Sequence, residues 1–224
     1  MMENRIYRLI RKFTRNNNNV GLSAVIEAPA DFYNEAYSHT QEYFIHYTNS
    51  RYYFVWTVIL DRILRISPDV RVLEIGCGPG QLAQLLLDNG IASYHGFDFS
   101  SKAVDLAKKK ELANASFHVG DAYCEPLIEK SASSFDCVIC TEVLEHLDRD
   151  LEVIKRLEPG TRLIATVPNF PYVSHVRHFE NAESVRERYQ PYLSDFSVLG
   201  LRQPTPSNNV YWIFEGRVKP NLTV

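Results

Sequence analysis

The sequence predicts an α/β fold, a mainly parallel sheet covered by helices on both faces and preceded by a helical extension. Three observations carry this reading. Strand-like and helix-like segments alternate strictly from Val70 to Val167, a glycine-rich turn directly follows the first of those strands, and the composition is that of an ordinary globular domain. The chain has 224 residues, 45% hydrophobic and 23% charged, enough for one medium domain with a sizeable core and unlike a disordered or fibrous protein. A formal net charge of −3 gives no global basic field, so nucleic acid is not the expected partner. Apolar runs are only strand-sized, so no membrane-spanning helix is expected. No apolar signal core follows Met1, so a cytoplasmic location is expected, with the four cysteines as thiols.

From the N-terminus, Ile6, Leu9, Ile10 and Phe13 recur at helical spacing among Arg5, Arg8, Arg11, Lys12 and Arg15. A basic amphipathic helix over residues 2–15 either packs on its own domain or meets a membrane surface, RNA or an acidic partner. Asn16–Asn19 reads as a polar linker. The stretch from Asp31 to Trp56 is crowded with rings, Tyr33, Tyr37, Tyr43 and Tyr52 among them, which either pack helices on the sheet or roof a ligand. Arg51–Ile66 has helical apolar spacing and stops before Ser67-Pro68. Strands are then expected at Val70–Ile75, Ser93–Asp98, Ala115–Val119, Phe135–Cys140 and Thr161–Val167. Helices are expected between them at Gln81–Asn89, Ser101–Lys110 and around Leu151–Leu157. Phe196–Arg202 and Tyr211–Val218 read as a closing hairpin, and residues 168–195 carry little pattern.

Cys137 and Cys140 spell C-x-x-C, but residues three apart on a strand point to opposite faces, so neither a metal pair nor a bridge is expected. The informative loop is Glu74-Ile-Gly-Cys-Gly-Pro-Gly80. Its glycines let the chain turn sharply and bring backbone against a ligand at the carboxyl end of the strand, where open α/β sheets bind theirs. This is not the dinucleotide fingerprint, because the third glycine comes one position early and Glu74 would repel a pyrophosphate. A carboxylate there suits a ligand bearing positive charge.

Val72-Leu-Glu-Ile-Gly-Cys-Gly-Pro-Gly80 resembles the first motif of class I S-adenosylmethionine-dependent methyltransferases. Later elements resemble the family in order: Gly96-Phe-Asp-Phe-Ser100, Gly120-Asp-Ala122, Thr141-Glu-Val-Leu-Glu-His-Leu147 and Leu157-Glu-Pro-Gly160. Three acids at the ends of consecutive strands, Glu74, Asp98 and Asp121, are hard to obtain by accident, although a lone Asp there is often a turn residue. The resemblance covers roughly residues 50–218. It implies a three-layer sandwich on a seven-stranded sheet with the last strand antiparallel, residues 49–224 being the methyltransferase domain and 1–48 a helical extension and cofactor lid. It also implies S-adenosylmethionine held by Glu74, Gly76, Cys77, Gly78 and Gly80. Asp98 would take the ribose hydroxyls with Phe99 against the adenine, Asp121 would contact the adenine amino group, and Ala122 and Thr141 would also bind the cofactor. Related enzymes place an N-terminal tyrosine over the cofactor, which makes Tyr33 and Tyr37 candidates.

A sulfonium methyl is already activated, so the protein mainly aligns the acceptor, and a base is needed only where the acceptor must lose a proton. His146 is the catalytic candidate; otherwise it pairs with backbone or Glu145 and shapes the loop. If residues 142–147 are helical, Glu142, Glu145 and His146 share one face. That pattern resembles the metal motif of small-RNA 3′-terminal 2′-O-methyltransferases, with His175 or His178 as a further ligand. Glu-Val-Leu-Glu-His is also similar to the segment in ubiquinone-biosynthesis O-methyltransferases and many other small-molecule enzymes, and Val167-Pro-Asn-Phe-Pro-Tyr172 lacks the full RNA-enzyme pattern. The reading is therefore an enzyme methylating oxygen or nitrogen of a small molecule, with no metal needed. A non-catalytic cofactor-binding partner subunit is the other alternative.

Overall fold

Strands that are apolar on both sides must be covered on both sides, and this sets the architecture. The computed structural model describes residues 27–67, 69–205 and 207–220. The basic stretch at 2–15 and the asparagine linker lie outside the described residues. The strands are β1 (Arg71–Ile75), β2 (Ser93–Asp98), β3 (Ala115–Val119), β4 (Cys137–Thr141), β5 (Arg162–Pro168), β6 (Leu193–Arg202) and β7 (Val210–Val218). They form one sheet in the order β3-β2-β1-β4-β5-β7-β6. β1 to β5 are parallel, and β7 runs antiparallel to both β5 and β6. The last strand is thus the reversed one, as expected.

The helices are α1 (Ala30–His39), α2 (Tyr53–Leu64), α3 (Gln81–Asp88), α4 (Ser101–Lys108), the single turn α5 (Ser131–Ser134), α6 (Asp150–Arg156) and α7 (Ala182–Tyr189). On one face of the sheet, Val72, Tyr94, Ile139 and Ile164 pack against Trp56, Ile59 and Ile63 of α2 and Leu82, Leu85 and Leu86 of α3. On the other, Leu73, Ile75, Val138, Leu163 and Phe214 pack against Val153 and Ile154 of α6 and Val185 and Tyr189 of α7. Cys137 belongs to the first core and Cys140 to the second, both as buried thiols. The period of two along a strand separates them.

Several boundaries differ from the sequence reading. The fourth strand begins at Cys137 rather than Phe135, because the Asp136 carboxylate accepts the Arg71 backbone N–H at 2.8 Å and its guanidinium at 3.1 Å and 3.2 Å, which fixes the amino edge of the sheet. Helix α7 carries no pattern strong enough to read, since only Val185 and Tyr189 are buried along it. Its start is set by a capping box between Asn181 and Ser184. Residues 27–48 pack onto the sheet domain. Asn34 Oδ1 accepts from Ser100 Oγ at 2.7 Å and Lys102 N at 3.2 Å, and Gln81 Nε2 donates to the carbonyls of Glu42 and Ile45.

Asp150, at the start of α6 and fully buried, is the polar rivet of the second face. It accepts Arg188 Nε at 2.8 Å, Arg188 Nη2 at 2.6 Å and Tyr189 Oη at 2.8 Å, with Arg177 Nη1 at 3.4 Å. Removing one partner of such a pair leaves the others desolvated and unpaired. Asp150→Ala is therefore expected to lower stability by roughly 3 kcal/mol, the low end for a buried pair because Arg188 is partly exposed. Guanidinium unfolding of the two proteins measures this, and an unchanged midpoint would refute it.

Candidate active site

The chain leaves β1 toward β2 on one side and returns to β4 on the other, so a crevice opens between their carboxyl ends. A cavity of about 370 Å³ occupies it. Of the residues singled out in the sequence, Glu74, Gly76, Cys77, Gly78, Asp98, Phe99, Asp121, Ala122, Thr141, His146, Tyr33 and Tyr37 all line this cavity. Gly80 does not. A Cβ there would stand 3.1 Å from Ala107 Cβ and 3.3 Å from Phe117, so this glycine serves the entry to α3 and its packing on α4 and β3.

Asp98 organises the corner. Gly78 N donates to its Oδ2 at 2.9 Å and Ser100 N to its Oδ1 at 2.8 Å, so each oxygen keeps a lone pair for a ligand. Burial raises its pKa to about 6, opposed by those two N–H groups. Gly78 has φ 51°, which disfavours a side chain, and a Cβ would meet the Tyr37 hydroxyl at 3.3 Å. Glu74 points to the α2–α3 face, where Tyr94 Oη donates to its Oε2 and Thr141 Oγ1 to its Oε1. Burial pushes this carboxyl up to about 8, despite those donors. Asp121 is exposed, and its Oδ1 accepts Tyr123 N at 2.8 Å in an Asx turn, which leaves Oδ2 open.

The tyrosines of α1 lie over the same edge. The Tyr33 ring meets Phe99 at 5.0 Å and His146 at 5.7 Å, and its hydroxyl is buried without a hydrogen-bond partner among the described residues. Tyr211 and Phe170 also line the cavity, edge to face at 5.5 Å. No local pattern could have found them: the antiparallel pairing of β5 with β7 sets Tyr211 opposite Pro168.

The segment after β4 is not the helix on which a shared face of Glu142, Glu145 and His146 would depend. Glu142 has φ 54°, and only Leu144–His146 makes a single 3₁₀ turn. Glu142 N donates to Thr166 Oγ1 at 3.0 Å, and that hydroxyl donates to Glu142 Oε1 at 2.9 Å, holding the side chain against β5. The chain returning after β5 brings His175 to His146, their rings 4.7 Å apart. One ligand atom from each of Glu145, His146 and His175 lies within 4.8 Å of the others, and Glu142 and His178 stay outside this group. Arg177 fixes the loop by donating to the carbonyls of Leu144 at 2.6 Å, Leu147, and Asp148 at 3.0 Å.

His146 Nδ1 is 2.8 Å from the Ser174 carbonyl and His175 Nδ1 is 3.1 Å from the Phe170 carbonyl. A carbonyl only accepts, so both rings carry their proton on Nδ1 and present Nε2 as a lone pair. Burial lowers the pKa of His146 to about 4, and burial with the neighbouring His146 lowers that of His175 to about 3. Both are neutral imidazoles at physiological pH. Burial pushes the Glu145 carboxyl well above the usual carboxylate range, with Glu142 adding to the effect.

Residues 44–216 match the model of a methyltransferase-domain family. A ubiquinone biosynthesis O-methyltransferase of Coxiella burnetii is 30% identical over 121 residues, 51% of this chain and 50% of that protein. The chain thus spans about half the length of the curated relatives it matches. Among solved structures, a chain of the complex between the Haloferax volcanii Trm112 methyltransferase activator and a methyltransferase superposes with a TM-score of 0.65 at 16% identity, covering 84% of this chain and 97% of that one. Haemonchus contortus phosphoethanolamine N-methyltransferase 2, solved with phosphomonomethylethanolamine and S-adenosylhomocysteine, gives 0.61 at 18% identity over 85% of this chain and 58% of that one. At such identities the likeness is one of fold. A glycine loop at the carboxyl edge of an open sheet occurs in several nucleotide-binding folds, and it is the family match across the whole sheet that decides among them: the chain belongs to the class I S-adenosylmethionine-dependent methyltransferases.

Proposed function

We propose that the protein transfers a methyl group from S-adenosylmethionine to an oxygen or nitrogen of a small molecule held in the carboxyl-edge cavity. One observation carries the reading: a buried acid with a free lone pair on each oxygen, Asp98, shares a cavity with a neutral imidazole, His146. The residues present fit the cofactor. The two free lone pairs of Asp98 match a vicinal diol, Gly76 and Gly78 offer backbone without side chains, and Glu74 offers an acid to a cationic ligand. Phe99, Asp121, Ala122, Cys77 and Thr141 complete the assignment. Tyr33 and Tyr37, carried by the 27–48 segment, act as a lid over it, with the unpartnered Tyr33 hydroxyl available to the bound molecule.

When bound, S-adenosylmethionine supplies an activated methyl for in-line attack. The protein contributes alignment, worth ~7–11 kcal/mol in well-oriented systems. His146 contributes its Nε2 lone pair, aimed by the Nδ1–H bond to Ser174, as the acceptor of the proton an attacking hydroxyl must lose. Phe170 and Tyr211 give the substrate end an aromatic wall suited to a planar or apolar acceptor.

Asp98→Ala is expected to weaken S-adenosylmethionine binding by about 1.5–3 kcal/mol, the range for hydrogen bonds to a charged group. Isothermal titration measures it, and undiminished affinity would remove the cofactor assignment. A pH dependence follows from the two raised acids. Without cofactor, Glu74 holds its proton below about pH 8 and Asp98 below about pH 6. A cation near Glu74 and hydroxyl donors on Asp98 both favour the ionised forms. Binding should therefore release protons below pH 8, and affinity should rise with pH from 5 to 8 and then level. Titrations in buffers of different ionisation enthalpy read the release directly; a flat affinity with no proton release contradicts the assignment.

A further inference from the structure

An amphipathic helix ordinarily turns its apolar stripe onto a core. Helix α1 does not. None of its ten residues is buried, and the side chains that share its inner face at spacing i, i+4, Phe32 with Ala36 and Tyr33 with Tyr37, line the cavity. With no side chain sunk in a core, the segment depends on polar ties. Among the described residues, the side-chain hydrogen bonds that run from residues 27–39 to the rest of the domain are made by two side chains, Asn34 and Glu27. Asn34 holds the middle of α1 to the start of α4. Glu27 holds the approach to α1, and it does so at the cavity itself, which it also lines.

One carboxylate oxygen, Glu27 Oε2, accepts Tyr123 Oη at 2.7 Å and Asp148 N at 3.0 Å. These partners belong to different walls. Tyr123 lies two residues after Asp121 in the loop following β3, and Asp148 two residues after His146 in the loop following β4. Tyr123 Oη in turn accepts Arg149 N at 3.2 Å, and the Arg149 guanidinium stands 4.3 Å from the centre of the same ring. Beyond the other end of α1 the chain is fixed again, because buried Gln81 donates to the carbonyls of Glu42 at 3.0 Å and Ile45 at 2.8 Å. Between that anchor and the helix stands Thr40, an extended residue with φ −91° and ψ 116°.

We infer that α1 is a hinged flap over the cavity, pivoting at Thr40 and latched shut by Glu27 on Tyr123 and Asp148, and that this latch sets how fast the cofactor enters and its product leaves. The gating of the cofactor rests on the methyltransferase reading; the latch itself does not. A molecule held at Gly78 and Asp98 lies beside Tyr37, whose hydroxyl stands over Gly78, and beside Tyr33, whose ring meets Phe99. Its passage is governed by where α1 stands. Lifting α1 exposes no core; it breaks the bonds to the Glu27 carboxylate, which are of the strong charge-assisted kind, and those to Asn34. Opening is therefore a local event, separate from unfolding of the sheet domain. Glu27 acts as a positioning residue, through the two tyrosines that α1 carries.

The test uses the full chain and two readouts. Hydrogen exchange of the free protein is followed by mass spectrometry, and S-adenosylhomocysteine binding by stopped-flow tryptophan fluorescence, since Trp56 lines the cavity. Glu27→Ala and Tyr123→Phe are each expected to speed exchange in Ala30–His39 at least about fivefold and to leave α2 unchanged. Both should raise the association and dissociation rate constants of S-adenosylhomocysteine together, at least about fivefold, with Kd moving less than about twofold. Kd holds because the latch closes over the free and the occupied cavity alike. The double variant should match Glu27→Ala, since both changes break one latch. Faster dissociation with unchanged association makes Glu27 a mere wall contact and overturns the gate. Unchanged exchange in α1 overturns the latch. A wild type that fails to bind S-adenosylhomocysteine but shows the exchange effect would sink the cofactor reading alone, and binding with wild-type rate constants in both variants would sink the gate alone.

Discussion

The carboxylate of Asp98 is the fixed point from which the site is built. Buried at the end of β2, it takes one N–H from the loop after β1 and another from the start of α4, so two consecutive strand ends become one corner. The left-handed turn at Gly78 is held in place by one of those bonds. The other sets Ser100, whose hydroxyl accepts Ala103 N to cap α4 and donates to Asn34. Through Asn34 the corner carries α1, and through α1 it carries Tyr33 and Tyr37 over the cavity. A single acid thus joins the glycine loop, a helix cap and the overlying segment.

The cavity concentrates acids in a setting that disfavours their charge. Burial raises the pKa of Glu74, Asp98, Glu142 and Glu145 alike. An unliganded domain has no use for this arrangement, because each group would be cheaper in water or replaced by an apolar residue. Such clusters occur where a ligand supplies what the fold withholds. The four differ in what the protein already gives them: Asp98 and Glu74 accept donors beside the glycine loop, whereas neither oxygen of Glu145 has a partner among the described residues. Glu142 stands between, already satisfied by Thr166.

Support for the His146 end of the cavity comes from the stretch of chain with the least sequence pattern. Residues 170–177 supply the carbonyls of Phe170 and Ser174 that set both imidazole tautomers, His175 itself, and the Arg177 clamp. Arg177 in turn approaches Asp150, which binds α6 to α7. The loop that presents His146 is thus tied through Arg177 to the α6–α7 contact on the second face of the sheet.

The sequence by itself determined the sheet, the glycine loop and the acids at the strand ends. These depend on local rules: period-two burial, helix spacing, and the need for glycine where the chain turns left-handed. Glu74, Gly78 and Asp98 could be read because each sits one or two residues from a recognisable strand end. Tertiary structure alone decided the rest. Glu142, Glu145 and His146 looked like one helical face, but Thr166 draws Glu142 onto β5, and the side chain that comes beside Glu145 and His146 is His175, some thirty positions along the chain. Tyr211 reaches the cavity only through antiparallel pairing with β5. Gly80, spaced like its neighbours, turned out to face Ala107 and Phe117 instead of the cavity. Spacing fixes direction within one element, whereas convergence between elements is set by how their buried faces pack, and no local pattern records that.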